Sequence, residues 1–81
     1  MSIEEIIENY VRETFDIEDD PDFSRDVHLF DNGFVDSLGA VDIVTFIENE
    51  FNITVTQKDI TLYPMNTINE IAAVVKNKTE A

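Results

Sequence analysis

Three kinds of side chain in this sequence could do chemistry: the hydroxyl of Ser37, the single imidazole of His28, and a crowd of carboxylates. Ser37 follows Asp36 directly and stands at the start of a stretch whose hydrophobic spacing reads as a helix to about Phe51. A serine hydroxyl is a poor nucleophile unless a base takes its proton. The sequence places no such base near Ser37, and His28 falls on a loop with no serine, histidine and carboxylate arrangement evident around it. Nothing in the sequence therefore marks Ser37 as a nucleophile in its own right. A plainer role also fits, because Asp36 or Ser37 can cap the helix by accepting a first-turn N–H bond, and an Asp-Ser pair before a helix is common.

The carboxylates suggest a cation site first. Asp16, Glu18, Asp19, Asp20 and Asp22 begin with the spacing of a calcium loop. Pro21 then stands where the sharp-turn glycine belongs, and Val27 occupies the twelfth position in place of a glutamate. A solvated charge run is the better reading, and no metal site is assigned.

The helix that begins at Ser37 carries two faces. Ala40, Ile43, Val44, Ile47 and Phe51 form one stripe at about 100° per residue and should face the core. Ser37, Leu38, Val41, Thr45 and Glu48 fall mostly on the other side, so Leu38 and Val41 are apolar where a surface helix is normally polar. An exposed apolar pair rimmed by Asp36, Asp42 and Glu48 is what a docking surface needs, although single surface apolar residues are also ordinary.

The run Asp36-Ser37-Leu38, then Val41-Asp42-Ile43-Val44, then Ile47-Glu48-Asn49-Glu50-Phe51 resembles the acyl carrier protein family, which includes peptidyl and D-alanyl carriers. In length and order of elements the resemblance covers nearly the whole chain. It implies that Ser37 is the attachment site of a 4′-phosphopantetheine arm. It also implies that Asp36 helps hold the magnesium ion when a transferase loads the arm from coenzyme A. The arm's phosphate would then sit at a helix N-terminus, where N–H groups and dipole favour negative charge by about 0.3–1 kcal/mol. The chain has no cysteine, so a thioester carrier of this composition must borrow its thiol, and the arm supplies one. Two features depart from the fatty-acid branch: an extra residue between Gly33 and the Asp-Ser pair, and Gly39 in place of the acid that commonly follows the leucine. Both are more like stand-alone carriers of the D-alanyl, peptidyl or specialised-metabolite kind.

The elements that must position Ser37 follow from spacing and caps. Ser2 with Glu5 makes a capping box, and Ile3, Ile6, Ile7, Tyr10 and Val11 follow at helical spacing to about Thr14. From about Asp16 to Asp36 the periodicity stops, and Val27, Leu29, Phe30, Phe34 and Val35 are the anchors expected to pin that long first loop. Phe51–Val55 alternates like a strand but has no partner, so it reads as an extended linker. Thr56 caps a short helix to about Leu62, with Asp59 in the box position, and Tyr63-Pro64 ends it. Thr67 and Glu70 form another capping box, opening a last helix to about Lys76 with Ile68, Ile71, Ala72 and Val75 buried, and with Lys76 and Lys78 complementing its dipole. A few loose residues should follow.

Composition bounds the rest. Eighty-one residues with 43% apolar content suit one small domain over residues 1–81. There is no signal-like N-terminus and no run of about 20 apolar residues, so a cytoplasmic monomer without membrane insertion is expected. Asn52-Ile53-Thr54 and Asn77-Lys78-Thr79 are formal glycosylation acceptors that secretion alone would make meaningful. Eighteen acids against five bases give a net charge of −13, which argues against nucleic acid and anionic surfaces and for basic partner surfaces.

The expected fold is an all-α, small four-helix bundle of three main helices and one short one. The expected function is carriage of acyl or aminoacyl groups as thioesters, with no catalysis by the chain itself. Its partners would be a phosphopantetheinyl transferase, an activating ligase or acyltransferase, and downstream biosynthetic enzymes. Leu38, Val41, Asp42, Thr45 and Glu48 would form the partner face. An unmodified acidic helical adaptor for a basic partner is the alternative from another class, and a small divalent-cation binder is the third.

Overall fold

The computed structural model describes residues 1–79 and is helical, with α1 at Ile3–Thr14, α2 at Ser37–Phe51, α3 at Gln57–Leu62 and α4 at Ile68–Thr79. This is the expected bundle of three main helices and one short one. The order of elements and the start of every helix agree with the sequence reading.

α1 and α4 pack against each other most extensively, and α2 joins them. Ile7 and Val11 of α1, Ile43 and Ile47 of α2, and Ile68, Ile71, Ala72 and Val75 of α4 make one core cluster. α3 buries none of its side chains. It is held instead by its capping box, in which Thr56 and Asp59 bond reciprocally, and by Lys78 of α4, whose Nζ lies 2.8 Å from Asp59 Oδ2.

The helix ends have local causes. Asp16 (φ 61°) and Asn52 (φ 53°) adopt left-handed backbone just past α1 and α2, and the N–H of the following residue reaches back to a last-turn carbonyl in each case, Ile17 to Arg12 and Ile53 to Glu48. Asp16 therefore acts as a helix stop, with its side chain in solvent.

Three expectations are corrected. α4 runs three residues past Lys76, so Asn77–Thr79 are helical; the final two positions of the expected loose end, 80 and 81, lie outside the described residues. The Thr67 cap forms, with Thr67 Oγ1 accepting from Glu70 N–H at 3.0 Å, but the Glu70 carboxylate reaches one residue further back, to Asn66 N–H. At α1 the Ser2 half of the box forms, and the Glu5 side chain stays exposed.

The long first loop is tied down more firmly than its anchors predicted. Leu29 and Val35 are buried as expected, and so are Ile17 and Phe23. Arg12 organises the loop's first half: its guanidinium donates to the carbonyls of Ile17, Glu18 and Phe23, pairs with Glu8, and lies 4.7 Å from the Phe23 ring centre. The second half docks on the other end of the chain, where Leu29 N–H donates to the Asn66 carbonyl and Asn69 N–H to that of Arg25. Gly33 turns the chain toward α2 with φ 76°, a conformation that a side chain would strain.

Candidate functional site

Asp36 is the N-cap of α2, and its Oδ1 accepts the Gly39 N–H at 2.8 Å. This settles the alternative left open by sequence: Asp36 caps, and Ser37 is freed from that work. Ser37 becomes the first helical residue, exposed. Among the described residues its hydroxyl has no hydrogen-bond partner, and no protein group accepts from the N–H of Ser37 or Leu38. Two unused donors thus stand at the positive end of α2 beside the hydroxyl, the setting that suits a phosphate ester.

Among the described residues no basic side chain is hydrogen-bonded to Ser37. His28 sits in the loop turn, where its Nδ1 accepts the Asp31 N–H at 3.0 Å and its Nε2 lies 3.6 Å from the Asp31 carboxylate. Its imidazole is occupied in shaping that turn. Among the described residues no three His, Cys, Asp or Glu side chains are grouped to hold a metal ion. Within the acidic run, Asp20 Oδ1 accepts the Asp22 N–H in a local turn.

Leu38, Val41, Asp42 and Thr45 are exposed on α2, as the spacing predicted. Leu38 is 77% exposed and Val41 63%, the two most exposed large apolar side chains after Met1. Asp42 is exposed, and Thr45 turns its hydroxyl back to the Val41 carbonyl at 2.9 Å. Glu48 differs from a free rim charge. It is half-buried, and its Oε2 accepts the Val55 N–H at 2.9 Å, which fastens the linker after α2. On the inner stripe Ile43 and Ile47 are buried, whereas Ala40, Val44 and Phe51 are only partly so.

Sequence reasoning missed Phe46, and it noted Gly39 only as a departure from the fatty-acid branch, without its packing role. A Cβ on Gly39 would lie 2.7 Å from Phe15 Cε1 and 2.7 Å from Val35 Cγ1, closer than carbon atoms approach. Glycine at this position lets the first turn of α2 press against the end of α1. Phe46 stacks on Tyr10 at 3.9 Å between ring centres, and the Tyr10 hydroxyl donates to the Asp42 carbonyl. Phe46 lies between the two stripes, which is why periodicity passed over it.

Electrostatics sharpen the face. α2 carries Asp42, Glu48 and Glu50 and no lysine or arginine. Four of the chain's five bases are spent in ion pairs elsewhere: Arg12 and Arg25 on Glu8, Lys76 on Glu4, and Lys78 on Asp59. These pairs leave marks. Burial pushes the Glu8 carboxyl up, but the bonds from Arg25 and Arg12 outweigh it and the pKa falls. Lys76 holds Glu4 below its usual value, and Lys78, aided by Thr56, lowers Asp59 to about 2.

Residues 5–75 match the family model described as the phosphopantetheine attachment site. The chain belongs to that family, the acyl carrier proteins. It is 36% identical over 75 residues to a D-alanyl carrier protein of Streptococcus suis, covering 93% of this chain and 92% of that one. It is 37% identical over 78 residues to a D-alanyl carrier protein of Streptococcus uberis, covering 93% and 98%. The group that belongs to such a carrier is a covalent 4′-phosphopantetheine, and the free hydroxyl and donors at the start of α2 fit it. Among the described residues no helix is long and apolar enough to cross a membrane.

Proposed function

We propose that this chain is a single stand-alone carrier domain whose Ser37 bears the 4′-phosphopantetheine arm and whose cargo is a D-alanyl group held as a thioester. The observation that carries the reading is the exposed, unbonded Ser37 hydroxyl at the first position of α2, released from capping by Asp36. When bound, the arm supplies the thiol that the chain lacks.

The chain's own residues prepare the site. Asp36 fixes the first turn through Gly39 N–H, and its exposed position lets it contribute to a magnesium ion brought by the transferase. The N–H groups of Ser37 and Leu38 receive the phosphate. Leu38 and Val41 enter the partner's pocket, while Asp42, Thr45 and Glu48 border it. The partners are a phosphopantetheinyl transferase, an activating ligase or acyltransferase, and downstream biosynthetic enzymes, each presenting a basic surface to the acidic face. The carrier works as a cytoplasmic monomer and catalyses nothing itself. D-alanine is favoured over a fatty acyl group by the names of the relatives, by the spacing from Gly33 and by Gly39.

Incubation with coenzyme A, magnesium and a promiscuous transferase tests the site. The parent should gain the mass of one phosphopantetheinyl group and Ser37→Ala none; loading at Ser2 or Ser24 would overturn it, and no loading by any of several transferases would favour the unmodified adaptor. Adding a D-alanine-activating ligase, ATP and D-alanine should then add one alanyl mass. A loaded chain that accepts only long acyl groups would overturn the cargo.

A further inference from the structure

A groove of about 520 Å³ runs beside α2, with Ala40, Val41, Val44, Thr45 and Glu48 on one side and Ile60, Tyr63 and Met65 among the residues across from them. Of all the residues that line it, Glu48 is the one acidic or basic side chain. Ser37, Val41, Thr45 and Glu48 follow one another at spacings of four, four and three residues, which places them on one line along the helix. The groove therefore extends from the turn after Ser37 to Glu48.

The distances match the arm. Eleven residues of α-helix rise about 16 Å. From phosphorus to sulfur the arm has about thirteen bonds, the backbone length of about four residues, and so reaches about 15 Å when extended. A cargo joined to that sulfur arrives at the level of Glu48.

We infer that Glu48 is the residue that reads the cargo, its carboxylate pairing with the α-ammonium of an aminoacyl thioester laid along this groove. The inference rests on attachment at Ser37. One Glu48 oxygen is held by the Val55 N–H, which fixes the carboxylate in place. A carboxylate offers about four acceptor sites, so one bond leaves room for a cation. The apolar lining suits the methyl and methylene groups of the arm, Thr45, Tyr63 and Asn66 in the same lining offer polar atoms to its amides, and the anion at its end suits a small cationic group. A fatty acyl chain ending there would strip water from the carboxylate with nothing in return.

The experiment compares two loaded forms that differ only in the ammonium. A promiscuous transferase loads the amide analogues of alanyl- and propionyl-coenzyme A, in which nitrogen replaces the thioester sulfur, and intact mass confirms attachment at Ser37. NMR then reads the Glu48 carboxyl carbon and the Val55 amide. Both signals should differ between the alanyl and propionyl forms, and the alanyl amine should hold its proton about tenfold more tightly than in the free analogue. Glu48→Gln keeps an acceptor for Val55 and should return the amine to its free value. Loaded forms with identical Glu48 and Val55 signals overturn the inference and leave the carrier reading intact, as does a Glu48→Gln amine that titrates like the parent's. A parent that gains no mass overturns the attachment site, and the inference falls with it.

Discussion

Lys78, next to last in α4, closes on Asp59 of α3 with Nζ 2.8 Å from Oδ2, and this pair is the side-chain tie between the short helix and the bundle. α3 buries no side chain, so this ion pair and the capping box at Thr56 are polar contacts that help to hold it. The Asp59 carboxyl accepts from Lys78 and from Thr56, and its pKa falls from 3.8 to about 2.

That depression has a definite sign in stability. The unfolded chain binds the Asp59 proton more tightly than the folded one, so the contribution is complete above the ordinary value of 3.8 and is lost as pH falls toward about 2. Asp59→Asn should therefore weaken the parent at pH 6 and flatten the decline between pH 4 and pH 2. Lys78→Met should raise the Asp59 pKa toward the usual range without restoring it fully, since the Thr56 bonds remain. Carboxyl-carbon NMR titration gives the pKa, and urea midpoints across the same pH range give the slope. An Asp59 that titrates near 3.8 in the parent would show that the pair does not hold in solution.

Gly39 makes the second prediction, and two effects compete there. Alanine is favoured over glycine inside a helix by about 1 kcal/mol. Against that stand two contacts of 2.7 Å with Phe15 and Val35, and overpacking costs about 1–3 kcal/mol. Gly39→Ala should thus lower the urea midpoint and slow loading at Ser37, two residues away. A higher midpoint would show that the Phe15 ring yields and that the close approach is incidental.

The core stripe of α2 gives the third. Ile43 and Ile47 are buried in the one core cluster that also holds residues of α1 and α4, so truncating either to alanine should cost about 2–5 kcal/mol. A domain of this size has only about 5–15 kcal/mol in all, so the thermal midpoint should fall plainly. Equal melting of both variants and the parent would mean that α2 is turned on its axis.

How much of this was legible in the sequence depends on what kind of interaction does the work. Helix starts were legible because Ser2, Asp36, Thr56 and Thr67 act locally, within three residues of the N–H groups they satisfy. The exposure of Leu38 and Val41 was legible from their angle on α2. The helix stop at Asp16 was hidden in a run of acids, where its charge suggested a cation ligand and its backbone was the relevant property. The burial of Gly39, the stacking of Phe46 on Tyr10 and the three loop carbonyls gathered by Arg12 join residues whose meeting no local pattern encodes. Glu48 lies between the two cases: its face was legible, but its bond to Val55 needs the linker to fold back after Asn52.

The last prediction separates shape from charge on the face beside Ser37. Asp42 is an exposed rim charge, screened by salt over about 8–10 Å, so Asp42→Asn should chiefly slow association, with the loss shrinking as salt rises. Leu38 is 77% exposed and outside the core cluster. Burying such a side chain in a partner is worth about 1.5–3 kcal/mol, against about 0–1 kcal/mol for an exposed ion pair. Leu38→Ala should therefore harm loading more than Asp42→Asn, mainly by speeding dissociation, and the harm should persist at high salt while the melting curve stays where it was. Loading kinetics of both variants at low and high salt, with thermal melts of each, make the comparison. A Leu38→Ala chain that loads normally would mean that partners engage α2 elsewhere, and equal salt dependence of the two variants would mean that charge alone directs the encounter.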